Sequence, residues 1–270
     1  MNTPSAADYW ERGSPYERYI GRWSRQVAPL FLAWLGAPAG RSWVDVGCGT
    51  GALSAAILER CRPARVTGVE PSDGFRQLAQ QTLGERMAFL PGDAAHLPLE
   101  PACCDLAVSG LVLNFVPDLR AALAEMTRVV VPGGTVAAYV WDYADGMAVI
   151  RQFWDAAVRL DPAAAGLHEG VRFPLCRPAA LQSAFEDAGL GSVAVAPLAL
   201  QARFDDFDDY WQPFLGGQGP APAYVASLSD EQRSVLRDTL RSTLSPDGRG
   251  FTLDARAWAV RGVQRDPPAA

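Results

Sequence analysis

The stretch SWVDVGCGTGALSAAIL, Ser42 to Leu58, sets the narrowest limits on what this chain can become. Three glycines, Gly47, Gly49 and Gly51, crowd into five residues between a strand-like apolar run and a helix-like one. Glycine in such a turn permits φ > 0 or lets the backbone approach a ligand closely. Two ligand classes use strand–glycine–helix turns. One is a dinucleotide, whose pyrophosphate rests on the helix N-terminus. The other is a nucleoside that carries no phosphate.

The pattern around the turn defines the architecture. SWVDVG reads as a strand and ALSAAILERC as a helix. RVTGVE is a second strand, and SDGFRQLAQQTLG a helix capped by Ser72 or Asp73. MAFLPG and DLAVSGLV are strands, and DLRAALAEMTRVV is a helix capped by Asp118. The turn Pro132 to Gly134 leads into the strand TVAAYVW. Strand–helix alternation with near-continuous apolar strands predicts an α/β chain with a parallel sheet covered on both faces. Such sheets bind ligands beyond the carboxyl ends of their strands.

The flanks are less regular. Ser14, Pro15 and Glu17 form a helix start, and Tyr16, Tyr19 and Trp23 share one helical face. Pro29 is expected to kink or split that helix. AVIRQFWDAAVRL is helical, and RPAALQSAFEDAGLGS is a helix with Pro178 near its start and Gly189 past its end. SVAVAPLAL is a strand, FDDFDDYWQPFL and SDEQRSVLRDTLRSTL are helices around the loop GGQGPAPA, and FTLDARAWAV is the last strand.

Composition removes several functions. The formal charge of -6 and pI near 5.0 give no electrostatic case for a nucleic-acid or anionic-membrane partner. All 24 basic residues are arginine, which removes lysine Schiff-base chemistry and the P-loop lysine. The five cysteines, Cys48, Cys61, Cys103, Cys104 and Cys176, show no C-x-x-C spacing, so neither a disulfide framework nor a zinc site is expected. No signal-like or membrane-length apolar run occurs, and the expected location is cytoplasmic.

Glycine spacing, Asp45 and the Asp93-Ala94 pair choose between the ligands, and Glu70 marks a nucleoside of either kind. The glycines read G-x-G-x-G, one residue short of the dinucleotide spacing. Asp45 precedes the first glycine by two residues, where a carboxylate repels pyrophosphate and suits a cationic ligand. Glu70, ending the next strand before Pro71, can accept from both hydroxyls of a ribose. Asp93 can accept from an exocyclic adenine amine, with the Ala94 N–H serving a ring nitrogen. CDLAVSGLVLNFVPD, a helix, PGG and a strand then follow. In that order the motifs resemble a class I S-adenosylmethionine-dependent methyltransferase of the small-molecule, type 11-like group, from Val44 to about Trp141.

The resemblance implies S-adenosyl-L-methionine as cofactor, bound by Asp45, Gly47, Gly49, Gly51, Glu70, Pro71, Asp93 and Ala94. The segment Ser109 to Asn114, with Ser109 and Leu111, would pass beneath its methionine part. Asn114 departs from the family pattern, where histidine is common, so no general base is assigned there. The resemblance also implies a Rossmann-like sheet of seven strands with the last antiparallel. The expected division is a helical lid over 1–40, a cofactor-binding core over 41–203 and 250–265, and a helical cap over 204–249.

The expected activity is in-line methyl transfer to a small-molecule acceptor, apolar or aromatic. Alternatives are a non-methylating or binding protein on the same fold and an NAD-dependent oxidoreductase. His168, with Glu169 beside it, is the candidate base, whereas His96 reads as a surface residue. Arg22 is a candidate partner for the cofactor carboxylate. Trp141, Tyr143, Trp154, Tyr210, Trp211 and Phe214 read as packed core or as an aromatic pocket. Asp205, Asp206, Asp208 and Asp209 read as first-turn acids and not metal ligands.

Overall fold

The computed structural model of the chain describes residues 21–216 and 219–265. Ser14, Pro15, Tyr16, Glu17 and Tyr19 lie outside them, as does the first half of the expected lid.

Seven strands form one sheet in the order β3-β2-β1-β4-β5-β7-β6. They are β1 (Ser42–Val46), β2 (Arg65–Val69), β3 (Ala88–Leu90), β4 (Cys104–Gly110), β5 (Val130–Trp141), β6 (Gly191–Phe204) and β7 (Phe251–Val263). The first five pair in parallel, and β7 runs antiparallel to β5, from Thr135 opposite Val263 to Trp141 opposite Ala257. This is the expected Rossmann-like architecture. Sequence order reverses between β1 and β4, which makes their carboxyl ends the topological switch point.

Contacts divide the chain into two compact units. The first holds Trp23–Trp141, Leu175–Leu198 and the chain from Ala257. Its helices are α1 (Arg22–Leu35), α2 (Ala52–Arg60), α3 (Asp73–Leu83) and α4 (Leu119–Val129), the last two capped by Ser72 and Asp118 as expected. α4 buries Ala122, Leu123, Met126 and Val129, the i, i+3/i+4 stripe of a helix with one face on the core. α1 runs through Pro29 as one helix, so the expected split does not occur. Its Phe31 is fully buried, 4.8 Å from the Tyr139 ring, so this part of the expected lid packs as core.

The second unit holds Asp142–Pro174 and Ala199–Arg256. It comprises α5 (Ala148–Leu160), the short α6 (Glu169–Arg172), α8 (Phe207–Trp211), α9 (Pro220–Ser227) and α10 (Asp230–Leu244); α7 (Pro178–Asp187) belongs to the first unit. The contacts thus group 142–174 with the inserted cap, a wider segment than 204–249. α9 takes in the second half of the expected loop. Its two prolines stand in the first turn, where a missing N–H costs no helix hydrogen bond. β6 carries Pro197, and it lies at the sheet edge, the place where a strand tolerates proline.

Phe153 stacks on Phe214 at 4.6 Å and 7°, and Trp154, Tyr210, Trp211 and Phe214 are all buried. Tyr210 donates to the Val149 carbonyl at 2.9 Å. These aromatics are buried in the second unit and pack against one another. The acids of FDDFDDYW act locally. Asp206 caps α8 through the Asp209 N–H at 2.8 Å, and Asp208 meets Arg237 and Arg241 at 3.0 and 3.1 Å.

The glycine turn explains itself. Gly47, Gly49 and Gly51 have φ of +73°, +54° and +90°. A Cβ on Gly47 would stand 2.6 Å from Val112 Cγ1, whereas one on Gly49 would meet nothing within 4 Å. Gly49→Ala therefore carries only the left-handed backbone penalty of about 1–2 kcal/mol, and Gly47→Ala carries a steric clash besides. Chemical denaturation should rank Gly47→Ala below Gly49→Ala in stability. Adding Val112→Ala should recover part of the Gly47→Ala loss more than it helps Gly49→Ala.

Candidate active site

Four elements bring the predicted acids to the carboxyl edge. β1 ends beyond Asp45, and the Gly47 and Cys48 N–H groups donate to the Val69 carbonyl at 2.8 and 3.2 Å. This ties the glycine turn to the end of β2, where Glu70 follows. The Glu70 N–H donates to the Leu90 carbonyl of β3 at 3.1 Å. Ser109, fully buried near the end of β4, donates its hydroxyl to the Val46 carbonyl at 2.8 Å. Next comes Leu111 at φ +63°, its N–H bonded to the Tyr139 carbonyl at 2.8 Å. A leucine in the left-handed region is backbone strain of the kind that gathers at ligand sites.

Both carboxylates are buried. Asp45 Oδ2 accepts from the Ser54 hydroxyl at 2.6 Å, and Oδ1 has no partner. Glu70 Oε2 accepts from the Gly49 N–H at 3.0 Å and Oε1 from the Ser72 N–H at 2.9 Å. The glycine turn therefore orients the acid predicted to hold a ribose, and each Oε keeps a further lone pair. Among the described residues no arginine side chain bonds either carboxylate; Arg76 reaches the Glu70 backbone carbonyl instead, at 2.8 Å.

Burial raises the pKa of Asp45 to about 7, opposed by its hydrogen bonds with Ser54 and reinforced by the charge of Glu70. Burial is likewise the main cause raising Glu70, opposed by the two N–H bonds. Two buried acids that resist ionisation at the switch point fit a cationic ligand and reject a diphosphate. Two more polar atoms at this edge are buried without partners: Asn114 Nδ2, past the end of β4, and Trp141 Nε1, at the end of β5. The sequence placed Asn114 in the segment beneath the methionine part and Trp141 among the core or pocket aromatics, and gave neither a polar role.

The other predicted residues divide. Asp93 and Ala94 lie past β3, with Asp93 exposed and its Oδ1 accepting from the Ala95 N–H at 2.8 Å. His96 is exposed beside it, 3.3 Å from the same oxygen. Pro71 is exposed after Glu70. Arg22 and His168 belong to the second unit. The Arg22 guanidinium meets Asp209 at 2.7 Å and lies 4.7 Å from the Phe204 ring centroid, so it is already engaged by a protein carboxylate. His168 caps α6, its Nδ1 accepting from the Gly170 N–H at 2.9 Å. That bond occupies the lone pair a general base needs. Glu169, also buried, accepts from the Trp154 indole N–H.

The family model described as "Methyltransferase domain" matches residues 44–138, from β1 through most of β5. The matched segment lies wholly within the first unit. Among curated proteins, the malonyl-[acyl-carrier protein] O-methyltransferase of Serratia marcescens is 32% identical over 136 residues, 50% of this chain and 52% of that protein. The demethylmenaquinone methyltransferase of Staphylococcus aureus is 35% identical over 105 residues, 38% of this chain and 44% of that protein. The chain thus spans about half the length of the curated relatives it matches.

Phosphoethanolamine N-methyltransferase 2 of Haemonchus contortus, solved with S-adenosyl-L-methionine, shares the fold at TM-score 0.59 and 14% identity. That likeness covers 98% of this chain and 61% of that one. The glycine turn and both buried acids fall inside the matched segment. No helix among the described residues is long and apolar enough to cross a membrane.

The raised Asp45 has a stability consequence. Unfolded, an aspartate loses its proton near pH 3.8; folded, Asp45 holds it to about 7. The folded state thus binds more protons between these limits, and its stability falls as pH rises through them, by up to about 4 kcal/mol. Asp45→Asn removes this contribution. In melting curves of the ligand-free protein, the variant should gain on wild type from pH 5 to pH 7.5. Parallel profiles would show that Asp45 ionises normally.

Proposed function

We propose that the chain transfers a methyl group from S-adenosyl-L-methionine to a small-molecule acceptor. The observation that supports this most is the pair of buried acids, Asp45 and Glu70, beside a left-handed glycine turn at the switch point. The donor set fits the cofactor. Glu70, oriented by the Gly49 and Ser72 N–H groups, would accept from the ribose hydroxyls. The free Oδ1 of Asp45 would face positive charge. Asp93 and Ala94 would serve the adenine edge. Ser109 and Leu111 would support the methionine part, with the Asn114 amide offering an unspent donor.

When bound, the sulfonium supplies an already activated methyl group. The chain's task is then to hold the acceptor atom in line and keep water out, which is positioning rather than proton chemistry. The His168 bond to the Gly170 N–H gives that residue a capping role, and we assign it no proton transfer. A proton released by the acceptor is needed only where the nucleophile carries one. A cytoplasmic setting and a small-molecule acceptor accord with this reading.

Isothermal titration tests the binding step. Wild type should bind S-adenosylmethionine and not NADH, and the reverse preference would favour an oxidoreductase. Glu70→Ala should weaken cofactor binding by about 1–3 kcal/mol, through the lost charge-assisted hydrogen bonds. Unchanged affinity in that variant would show the ribose is held elsewhere.

A further inference from the structure

The amino edge of the sheet carries a cavity that the cofactor reading does not use. It holds about 380 Å³ and lies wholly within the first unit. Leu106, Val131 and Val263 give it apolar wall, and Arg41, Asp105, Thr135, Ser192 and Arg261 give it polar groups. These residues stand at or near the starts of β1, β4, β5 and β6 and the end of β7, which runs the other way. Asp45 and Glu70 stand at the opposite, carboxyl edge. Cavities that take small molecules begin at about 300 Å³.

Arg261 supplies the charge that matters here. It is half-buried near the end of β7. Its Nη1 donates to the Leu35 carbonyl at 3.0 Å, closing the C-terminus of α1, and its guanidinium carbon lies 5.2 Å from the Trp34 ring centroid. These contacts hold the group in place. They leave Nε and Nη2 without a protein partner among the described residues, and neither nitrogen is sealed from solvent. No carboxylate among the described residues pairs with Arg261, whereas the half-buried Arg128 and Arg256 meet Glu125 and Asp142.

The acid in the cavity wall is already engaged. Asp105 accepts from the Ser42 N–H and from Arg41, each at 2.8 Å, and these bonds hold its carboxyl below the usual range. Arg41 thus offsets Asp105, and the charge of Arg261 remains. Thr135 is half-buried and Ser192 exposed, and neither hydroxyl bonds a protein group among the described residues. Ser192 also has φ +50°, a strained conformation for a residue other than glycine.

We propose that this amino-edge cavity binds a small organic carboxylate, with the oxyanion on Arg261 and the apolar body against Leu106, Val131 and Val263. A guanidinium matches a carboxylate better than any other side chain does, and the two hydroxyls can donate to the same group. The apolar wall favours an organic acid over free phosphate, which has nothing to bury there. The inference goes beyond methyl transfer and does not depend on it.

The full-length chain is titrated calorimetrically with hexanoate, 1-hexanol and inorganic phosphate. Wild type should bind hexanoate saturably, and the alcohol and phosphate at least tenfold more weakly. Arg261→Gln should lose at least tenfold in hexanoate affinity. Thr135→Val, which keeps the side chain's shape, should lose a few-fold, and Asp105→Asn should gain a few-fold. Ala37→Trp fills the cavity without changing charge and should abolish binding. Arg261→Gln also loses the Leu35 bond, so melting curves accompany each variant, and Ala37→Trp decides the matter if Arg261→Gln does not fold. No saturable hexanoate binding by wild type, equal affinity for the alcohol or phosphate, or wild-type hexanoate affinity in folded Ala37→Trp overturns the proposal. Each sample is also titrated with S-adenosylmethionine. Wild-type cofactor affinity in Ala37→Trp confines the loss to the amino edge. A chain that binds hexanoate there and ignores the cofactor would keep the cavity site and remove the methyl-transfer reading.

Discussion

Two carboxylates lie buried where β1 and β2 end, without a bonded arginine side chain on either, and this electrostatic debt shapes everything around them. Glu70 is stabilised by backbone N–H groups from Gly49 and Ser72, which the turn can present because its glycines adopt left-handed conformations. Asp45 takes one hydroxyl from Ser54 and leaves an oxygen unsatisfied. Buried charge of this kind is tolerated by partial neutralisation, which is why Asp45 titrates near 7, or by a ligand of opposite charge. A diphosphate would deepen the debt, whereas a sulfonium nucleoside offsets it. The sheet topology gives the debt its location, since β1 and β4 part at the switch point.

The chain has two histidines, and the structure engages both in modest roles. His96 sits exposed beside Asp93, and His168 caps a four-residue helix. A displacement at an activated methyl carbon makes little demand for proton transfer, so a site built from backbone turns, buried acids and unspent amide donors is chemically sufficient for it. The strained Leu111 and the partnerless Asn114 amide stand at the same strand end, where an acceptor or the methionine part of a cofactor would meet the protein.

What the sequence made legible was local. The caps at Ser72 and Asp118, the spacing of the three glycines, and the strand ends at Asp45 and Glu70 all follow from interactions within a few residues. The seven-stranded sheet followed from the alternation of apolar runs together with the family resemblance. What stayed hidden depends on distant partners. Arg22 looked available until Asp209, far along the chain, was seen to engage it. The lone pair of His168 was spent on a neighbour through a helix that four residues did not announce. α9 was masked by prolines that read as loop yet fall in a first turn.

The central claim is that a buried, partly protonated Asp45 receives a cationic, phosphate-free nucleoside. It is tested most directly by the protons exchanged when S-adenosylmethionine binds at pH 7. These are measured calorimetrically in two buffers of different ionisation enthalpy, for wild type and for Asp45→Asn. The account predicts that wild type releases more protons than the variant, with the difference vanishing by pH 9. Identical proton exchange in the two proteins, or greater release by the variant, would contradict it.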